Sequence, residues 1–171
     1  MPVKRPGKKL EGELGPALKH LDCFDYNSND PSPCCDRIVH WEGHAILFEC
    51  KETRDGKLPF DRFDGKNKRE RALLNWHAGL PDPNNPRTEF KPRRAPHGLT
   101  VVLVQLVTAR PRLWAARWED VHEMEFAPGA QRHLKFPPVD PRWVEVVRVQ
   151  RGHGLGTCWG LESVLRGWLS Q

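Results

Sequence analysis

Long apolar runs are missing from this sequence of 171 residues, and cysteines are few, with five in all. No stretch approaches the roughly 18 apolar residues of a membrane span, and Met1–Arg5 does not resemble a signal peptide. The five cysteines form no CxxC pair, the spacing typical of structural zinc sites. We therefore expect an intracellular, cytoplasmic protein with reduced thiols and no membrane partner.

The length is typical of one domain, and we expect residues 1–171 to form one. Lys and Arg number 27 against 22 Asp and Glu, a net charge of +5 that favours an acidic partner such as nucleic acid. A proline-rich stretch at about residues 77–98 has few apolar residues, which predicts a long loop insertion.

Apolar periodicity predicts an α/β fold with a mixed central β-sheet flanked by helices. The predicted helices are 7–21, 66–76 and 160–169, with a short helix beginning at Trp118. The predicted strands are 37–41, 44–52, 99–107, 112–117 and an edge strand at 143–149, and residues 131–141 are predicted to be irregular. Glu42 and Gly43 provide a two-residue turn between the first two strands.

Glu49 and Lys51 alternate with Cys50 at the end of the predicted strand 44–52, so they share one face of the sheet. Pairing around the turn at Glu42 sets residues opposite each other when their numbers sum to 85, which places Asp36 opposite Glu49. Two carboxylates this close repel each other unless a cation lies between them. The pattern therefore predicts a Mg²⁺ or Mn²⁺ site, because hard cations take oxygen ligands.

These groups suit phosphodiester hydrolysis. Asp36, Glu49 and the backbone carbonyl of Cys50 supply the metal ligands, and one or two ions polarise a phosphate oxygen and lower the pKa of water. Lys51 then orients or activates the attacking water, or neutralises charge that develops on the phosphate. Cys50 itself is expected to be a small core residue.

An Asp followed by Glu-x-Lys at a hairpin resembles the PD-(D/E)xK nuclease pattern. The run 47–53 with Leu58-Pro59-Phe60 resembles RecU-type Holliday-junction resolvases, and Gly7-Lys8-Lys9-Leu10-Glu11-Gly12-Glu13-Leu14 resembles the helix that opens both RecU and the archaeal Hjc resolvases. The short segment before Asp36 is closer to a compact Hjc architecture than to RecU, whose long stalk has no room here. Cys34-Cys35 departs from the Pro or Thr usual before the Asp, and no helix glutamine of the family is placed.

The resemblance implies a restriction-endonuclease-like fold and a Mg²⁺-dependent endonuclease that resolves four-way DNA junctions in recombination and repair. It adds Glu11 to the metal site, directly or through water. It also implies a homodimer, whose two active sites would cut two opposing strands, and a prokaryotic or phage-encoded source. Tryptophans that are not in the core are expected to contribute to the dimer face.

Basic clusters near these motifs predict contacts with DNA phosphates. The candidate DNA-binding residues are Lys8, Lys9, Ser32, Thr53, Lys66, Lys68 and Arg69.

Three other interpretations stay open. The first is another repair or restriction-like nuclease with the same motif, and the second is a DNA-binding protein without catalysis. The third is a zinc-binding module built from Cys34, Cys35, His40 and His44.

Overall fold

The computed structural model describes residues 8–21, 24–25, 35–60 and 100–170. Within these residues the helices are α1 (Lys8–His20), α2 (Trp118–Phe126) and α3 (Leu161–Leu169). The strands are β1 (Phe24–Asp25), β2 (Arg37–Trp41), β3 (His44–Thr53), β4 (Lys57–Pro59), β5 (Thr100–Ala109), β6 (Arg112–Arg117), β7 (His133–Lys135), β8 (Val144–Val146), β9 (Arg148–Gln150) and β10 (Thr157–Trp159).

A six-stranded mixed sheet in the order β1-β2-β3-β5-β6-β8 forms the centre of the fold. The strands β3 and β5 run parallel over ten residue pairs, whereas β2–β3, β5–β6 and β6–β8 are antiparallel. The predicted α/β class and mixed sheet are therefore confirmed. The apolar run at residues 45–48 is buried on both faces, as its composition predicted for a central strand.

The β2–β3 hairpin has the predicted turn and register. Glu42 and Gly43 have φ values of 51° and 76°, the left-handed conformations that a two-residue hairpin turn requires. The ladder runs from Trp41↔His44 to Arg37↔Phe48, so each pair sums to 85 as predicted. This register fixes which residues of β3 face each side of the sheet.

Helices cover both faces of the sheet. The apolar stripe of α1, including Leu10 and Leu14, packs with α3 against the face that carries Phe48 and Cys50. The other face carries Leu47 and packs against α2 through Trp118. The alternation of β3 side chains thus separates two cores, one on each side of the sheet.

Several predictions need correction. The stretch 131–141 contains β7, which pairs with β4. The predicted edge strand 143–149 is divided between β8, at the edge of the main sheet, and β9, which pairs with β10 instead. The predicted helix 7–21 is confirmed as α1, with Pro16 inside it. The predicted helix 66–76 and the insertion at 77–98 lie outside the described residues.

Most of the tryptophans lie in the hydrophobic cores. Trp41, Trp114, Trp118, Trp143 and Trp159 are all buried. These five fill the two cores of the chain. The prediction that tryptophans outside the core contribute to a dimer face concerns the partly buried Trp168 and Trp76, which lies outside the described residues, and it stays a prediction. In the described part of the chain, no helix has both the length and the apolar character needed to cross a membrane.

Candidate active site

Glu49 and Lys51 form an ion pair near the end of β3, on the face shared with Leu47. Glu49 is only 7% exposed, and Lys51 is half-buried. Burial alone would lower the pKa of Lys51, but the charge of Glu49, its hydrogen bond and the charge of Asp36 together raise it above the usual value. Lys51 is therefore a cation at neutral pH.

Glu49 is also fixed through its backbone. Its partner in the parallel ladder is the buried Gln105 of β5, whose Nε2 donates a hydrogen bond of 3.2 Å to the carbonyl oxygen of Glu49. The strand end that carries the ion pair is thus held by an amide side chain as well as by the ladder. The sequence reasoning did not single out Gln105, because a lone polar residue in an apolar strand has no partner that can be named from the sequence.

Asp36 lies one residue before β2, and its carboxylate reaches β3. Its N–H donates to the carbonyl of Phe48 at 2.9 Å, and its Oδ2 accepts a hydrogen bond of 2.7 Å from the N–H of Cys50. The ladder itself begins at Arg37. The expected opposition of Asp36 and Glu49 is therefore not part of the ladder, and the Asp36 carboxylate instead contacts Cys50, the residue after Glu49.

The backbone of Cys50 faces Asp36. In an extended strand the N–H and C=O of one residue point to the same edge, so the Cys50 carbonyl lies on the side where Asp36 binds the amide. The ladder with β2 has ended before this point. The role of the Cys50 carbonyl as a metal ligand stays a prediction.

The thiol of Cys50 is surrounded by the predicted site. Burial raises its pKa well above the usual value, and the charges of Asp36, Glu49 and Glu11 raise it further, against a smaller opposite effect of Lys51. All four predicted catalytic side chains therefore act electrostatically on one atom. The thiol stays protonated at neutral pH, and Cys50 is a buried core residue, as predicted.

Glu11 approaches Cys50 from the other face of the sheet. Its helix α1 packs on the side of Phe48 and Cys50, whereas Glu49 and Lys51 point to the opposite side. The Nη1 of Arg37 donates to the backbone carbonyl of Glu11 at 3.0 Å, which ties this part of α1 to β2. The structure thus brings Glu11 to the same strand end but not into the Glu49–Lys51 pair.

Arg110 fixes the other border of α1. From the turn between β5 and β6, its Nη1 bonds Oε1 of Glu13 at 2.9 Å and its Nε bonds Oε1 of Glu52 at 2.8 Å. The indole N–H of Trp159 donates to Oε2 of Glu13 at 3.0 Å. Glu11 and Glu13 are about 200° apart around the helix, on opposite borders of its apolar stripe. Arg37 and Arg110 therefore connect α1 to the sheet at both borders of its apolar stripe and oppose rotation of the helix about its axis.

The oxygen atoms of the candidate site are of the type that binds a hard cation. Two carboxylates and a backbone carbonyl are the oxygen ligands that Mg²⁺ prefers. Across the described ranges, no three His, Cys, Asp or Glu side chains are arranged as a metal-holding group. Glu49 is paired with Lys51, and Asp36 with the Cys50 amide. A metal ion bound by Glu49 would have to replace Lys51 as the partner of this carboxylate.

A zinc module finds no support in the hairpin. His40 is opposite Ala45 in the ladder and His44 is opposite Trp41, so the two imidazoles lie on opposite faces of the β2–β3 hairpin. Cys35 is buried, and Cys34 lies outside the described residues. Among the described residues, Cys35, His40 and His44 form no metal-binding group.

Of the candidate DNA-binding residues, Lys8 is the first residue of α1 and Lys9 is exposed on it. Thr53 is buried, and its hydroxyl lies 2.6 Å from both Asp55 Oδ1 and the Lys57 carbonyl, where it closes the β3–β4 turn. That hydroxyl is poorly placed for a phosphate. Ser32, Lys66, Lys68 and Arg69 lie outside the described residues.

No protein-family model matches this chain, and a search of curated proteins found no match to it. Function is therefore inferred from the residues of the site and their placement.

Proposed function

We propose that this protein is a divalent-metal-dependent DNA endonuclease of the PD-(D/E)xK type, with four-way junctions as its substrate. The observation that carries the proposal is the buried Glu49–Lys51 ion pair at the end of β3 beside the Asp36 carboxylate. A carboxylate buried to this extent is rare without a charged partner, which Lys51 provides here. A mixed sheet with helices on both faces is compatible with a restriction-endonuclease-like fold, which we include in the proposal.

Asp36, Glu49 and the carbonyl of Cys50 would hold one or two Mg²⁺ or Mn²⁺ ions, with Glu11 completing the shell directly or through water. When bound, such an ion withdraws charge from a phosphate oxygen and lowers the pKa of water. Asp36 is exposed, so a phosphate can approach this edge of β3 from solvent.

Lys51 would stabilise negative charge on the phosphate rather than remove a proton from water. The two roles differ in the required protonation state, and the raised pKa of Lys51 keeps it charged at neutral pH. A cation in a partly buried position interacts more strongly with developing charge than one in water. Of the two roles that the sequence left open, the electrostatics of the metal-free protein favour the second.

The resemblance to resolvases leads us to propose the junction substrate, a homodimer and a prokaryotic or phage-infected host cytoplasm. A four-way junction presents two strands for symmetric cleavage, and a two-fold dimer presents two sites. The chemistry of the site supports the nuclease, and the choice of junction depends on the sequence blocks around Glu11 and Glu49.

The test is cleavage of a synthetic four-way junction and a linear duplex of the same sequence, with Mg²⁺ or Mn²⁺ and with EDTA. We expect symmetric, metal-dependent cuts in the junction and much less cleavage of the duplex. Asp36→Asn and Glu49→Gln should abolish cleavage and keep junction binding, whereas Glu123→Gln, on the exposed surface of α2, should cut normally.

Each alternative predicts a different result. Equal cleavage of junction and duplex would support another nuclease of the same type. Junction binding without any cleavage by the wild-type protein would leave a DNA-binding protein. Wild-type rates for Asp36→Asn or Glu49→Gln would refute the site.

A further inference from the structure

The β9–β10 hairpin carries positive charge and no negative charge. Between Glu145 and Glu162 the chain contains Arg148, Arg151 and His153 and no acidic residue. Arg148 and His153 are exposed, and Arg151 is partly exposed. A hairpin with charge of one sign favours a partner of the opposite sign.

The tip of this hairpin is a hydrogen-bonded loop that exposes an apolar side chain. The N–H of Arg151 bonds the Gly156 carbonyl at 2.9 Å, and the N–H of Leu155 bonds the Gly152 carbonyl at 3.2 Å. The guanidinium of Arg151 also binds the Leu155 carbonyl, with its Nε at 3.0 Å. These bonds hold Leu155 in place although its side chain is 63% exposed.

The base of the hairpin is fixed against α1. The Arg148 guanidinium stacks over Trp159 at 4.0 Å from the ring centroid, and its Nη2 lies 4.0 Å from Oε2 of Glu13. A Cβ built on Gly160 would come within 2.6 Å of a Val149 methyl carbon, so the base has no spare space. The hairpin is therefore a packed extension of the element that carries Glu11.

We infer that the β9–β10 hairpin is a DNA-contacting element, with Arg148 on a backbone phosphate and Leu155 in the groove of the adjacent duplex. This inference rests on the proposed function. The phosphates of DNA attract exposed arginines such as Arg148, and apolar side chains at the ends of DNA-binding elements contact sugars and base steps in the minor groove. The hairpin packs against α1, the helix that also carries Glu11.

The experiment measures binding of a fluorescent four-way junction in EDTA, so that cleavage does not contribute. Arg148→Gln should weaken binding about five- to tenfold at about 0.1 M salt and reduce the slope of log affinity against log salt by about 1. Leu155→Ser should weaken binding several-fold without a change in slope, because it removes no charge. Arg148→Lys should keep the slope, and it serves as the second variant if Arg148→Gln does not fold.

The chain offers matched controls. Arg112 is 47% exposed and stacks over Trp114 at 4.7 Å, much as Arg148, at 43%, stacks over Trp159. Val139 is an apolar residue that is 97% exposed in another loop. Arg112→Gln and Val139→Ser should bind the junction like the wild-type protein.

The outcomes separate this inference from the proposed function. Hairpin variants that bind like the wild-type protein, in a preparation that cuts junctions, would overturn the inference alone. Hairpin-dependent binding by a protein that never cuts would refute the nuclease and leave the hairpin assignment standing. A change in oligomeric state of Leu155→Ser with unchanged DNA affinity would overturn the inference and assign the tip to contact between copies.

Discussion

The Nη1 of Arg110 lies 2.9 Å from Oε1 of Glu13, across 97 residues of sequence. This pair connects the β5–β6 turn to α1, and the same guanidinium binds Glu52 beside Lys51. We expect Arg110→Gln to lower the free energy of unfolding by about 1–2 kcal/mol, because it breaks hydrogen bonds between partly exposed charged groups. Urea denaturation measures this value.

A double-mutant cycle with Glu13→Gln isolates the Arg110–Glu13 interaction. The matched control is the more exposed pair of Arg112 and Glu145 on the same sheet, for which exposed ion pairs suggest about 0.2–1 kcal/mol. A coupling energy for Arg110 and Glu13 that does not exceed the control value would show that this pair stabilises the protein no more than an exposed ion pair does.

Gly160 has no space for a side chain. A Cβ there would lie 2.6 Å from Cγ1 of Val149 and 3.1 Å from the Val147 carbonyl oxygen. Gly160→Ala should therefore destabilise the protein by about 1–3 kcal/mol through overpacking, as a thermal or urea transition would show.

Val149→Ala removes the nearer obstacle, so adding it to Gly160→Ala should recover part of the loss. Gly152, with open space around its Cβ position, provides the control, and Gly152→Ala should have little effect. An equally small effect of Gly160→Ala would mean that the base of the β9–β10 hairpin is not tightly packed.

The sequence was informative where structure depends on neighbours in the chain. The turn at Glu42 and Gly43 and the alternation of β3 determined the hairpin register, and with it the shared face of Glu49 and Lys51. The hydrogen bonds of Arg110 to Glu13 and Glu52 could not be predicted, because no sequence pattern identifies partners that lie 97 and 58 residues away. The three-residue strands β4 and β7 are equally hidden, because their pairing is long-range and too short for periodicity.

Cys50 tests whether the thiol or the backbone matters at the site. We expect Cys50→Ser to be less stable by about 1–3 kcal/mol, because a hydroxyl replaces a thiol in an apolar core. If the proposed function holds, metal-dependent cleavage should survive, because the predicted ligand is the backbone carbonyl. Loss of cleavage in a folded Cys50→Ser variant would assign a role to the thiol itself.

The raised pKa of the Cys50 thiol has a consequence for its reactivity. Alkylation requires the thiolate, and burial keeps both the reagent and the charge away from this sulfur. In the native protein, iodoacetamide at neutral pH should leave Cys50 unmodified, as peptide mass spectrometry would show. After unfolding in urea the same cysteine should react readily, and rapid labelling of the native protein would contradict the buried placement.

Lys51 should give the protein a pH-dependent component of stability at alkaline pH. Its pKa in the folded state is raised above the usual lysine value, despite burial, by the carboxylates of Glu49 and Asp36. A raised pKa means that the folded state holds the proton more tightly, so this stabilisation is complete at neutral pH and is lost as the pH rises through the folded-state pKa.

Lys51→Met removes the titrating ammonium, and the comparison with the wild-type protein isolates its contribution. The difference in unfolding free energy between the two proteins should stay constant from about pH 7 to 9. At higher pH the wild-type protein should lose stability relative to Lys51→Met. Urea denaturation at a series of pH values measures it, with Lys57→Met, at an exposed lysine of β4, as the control. The same alkaline change in both comparisons would show that the Glu49–Lys51 pair does not bind the proton more tightly than an ordinary surface lysine.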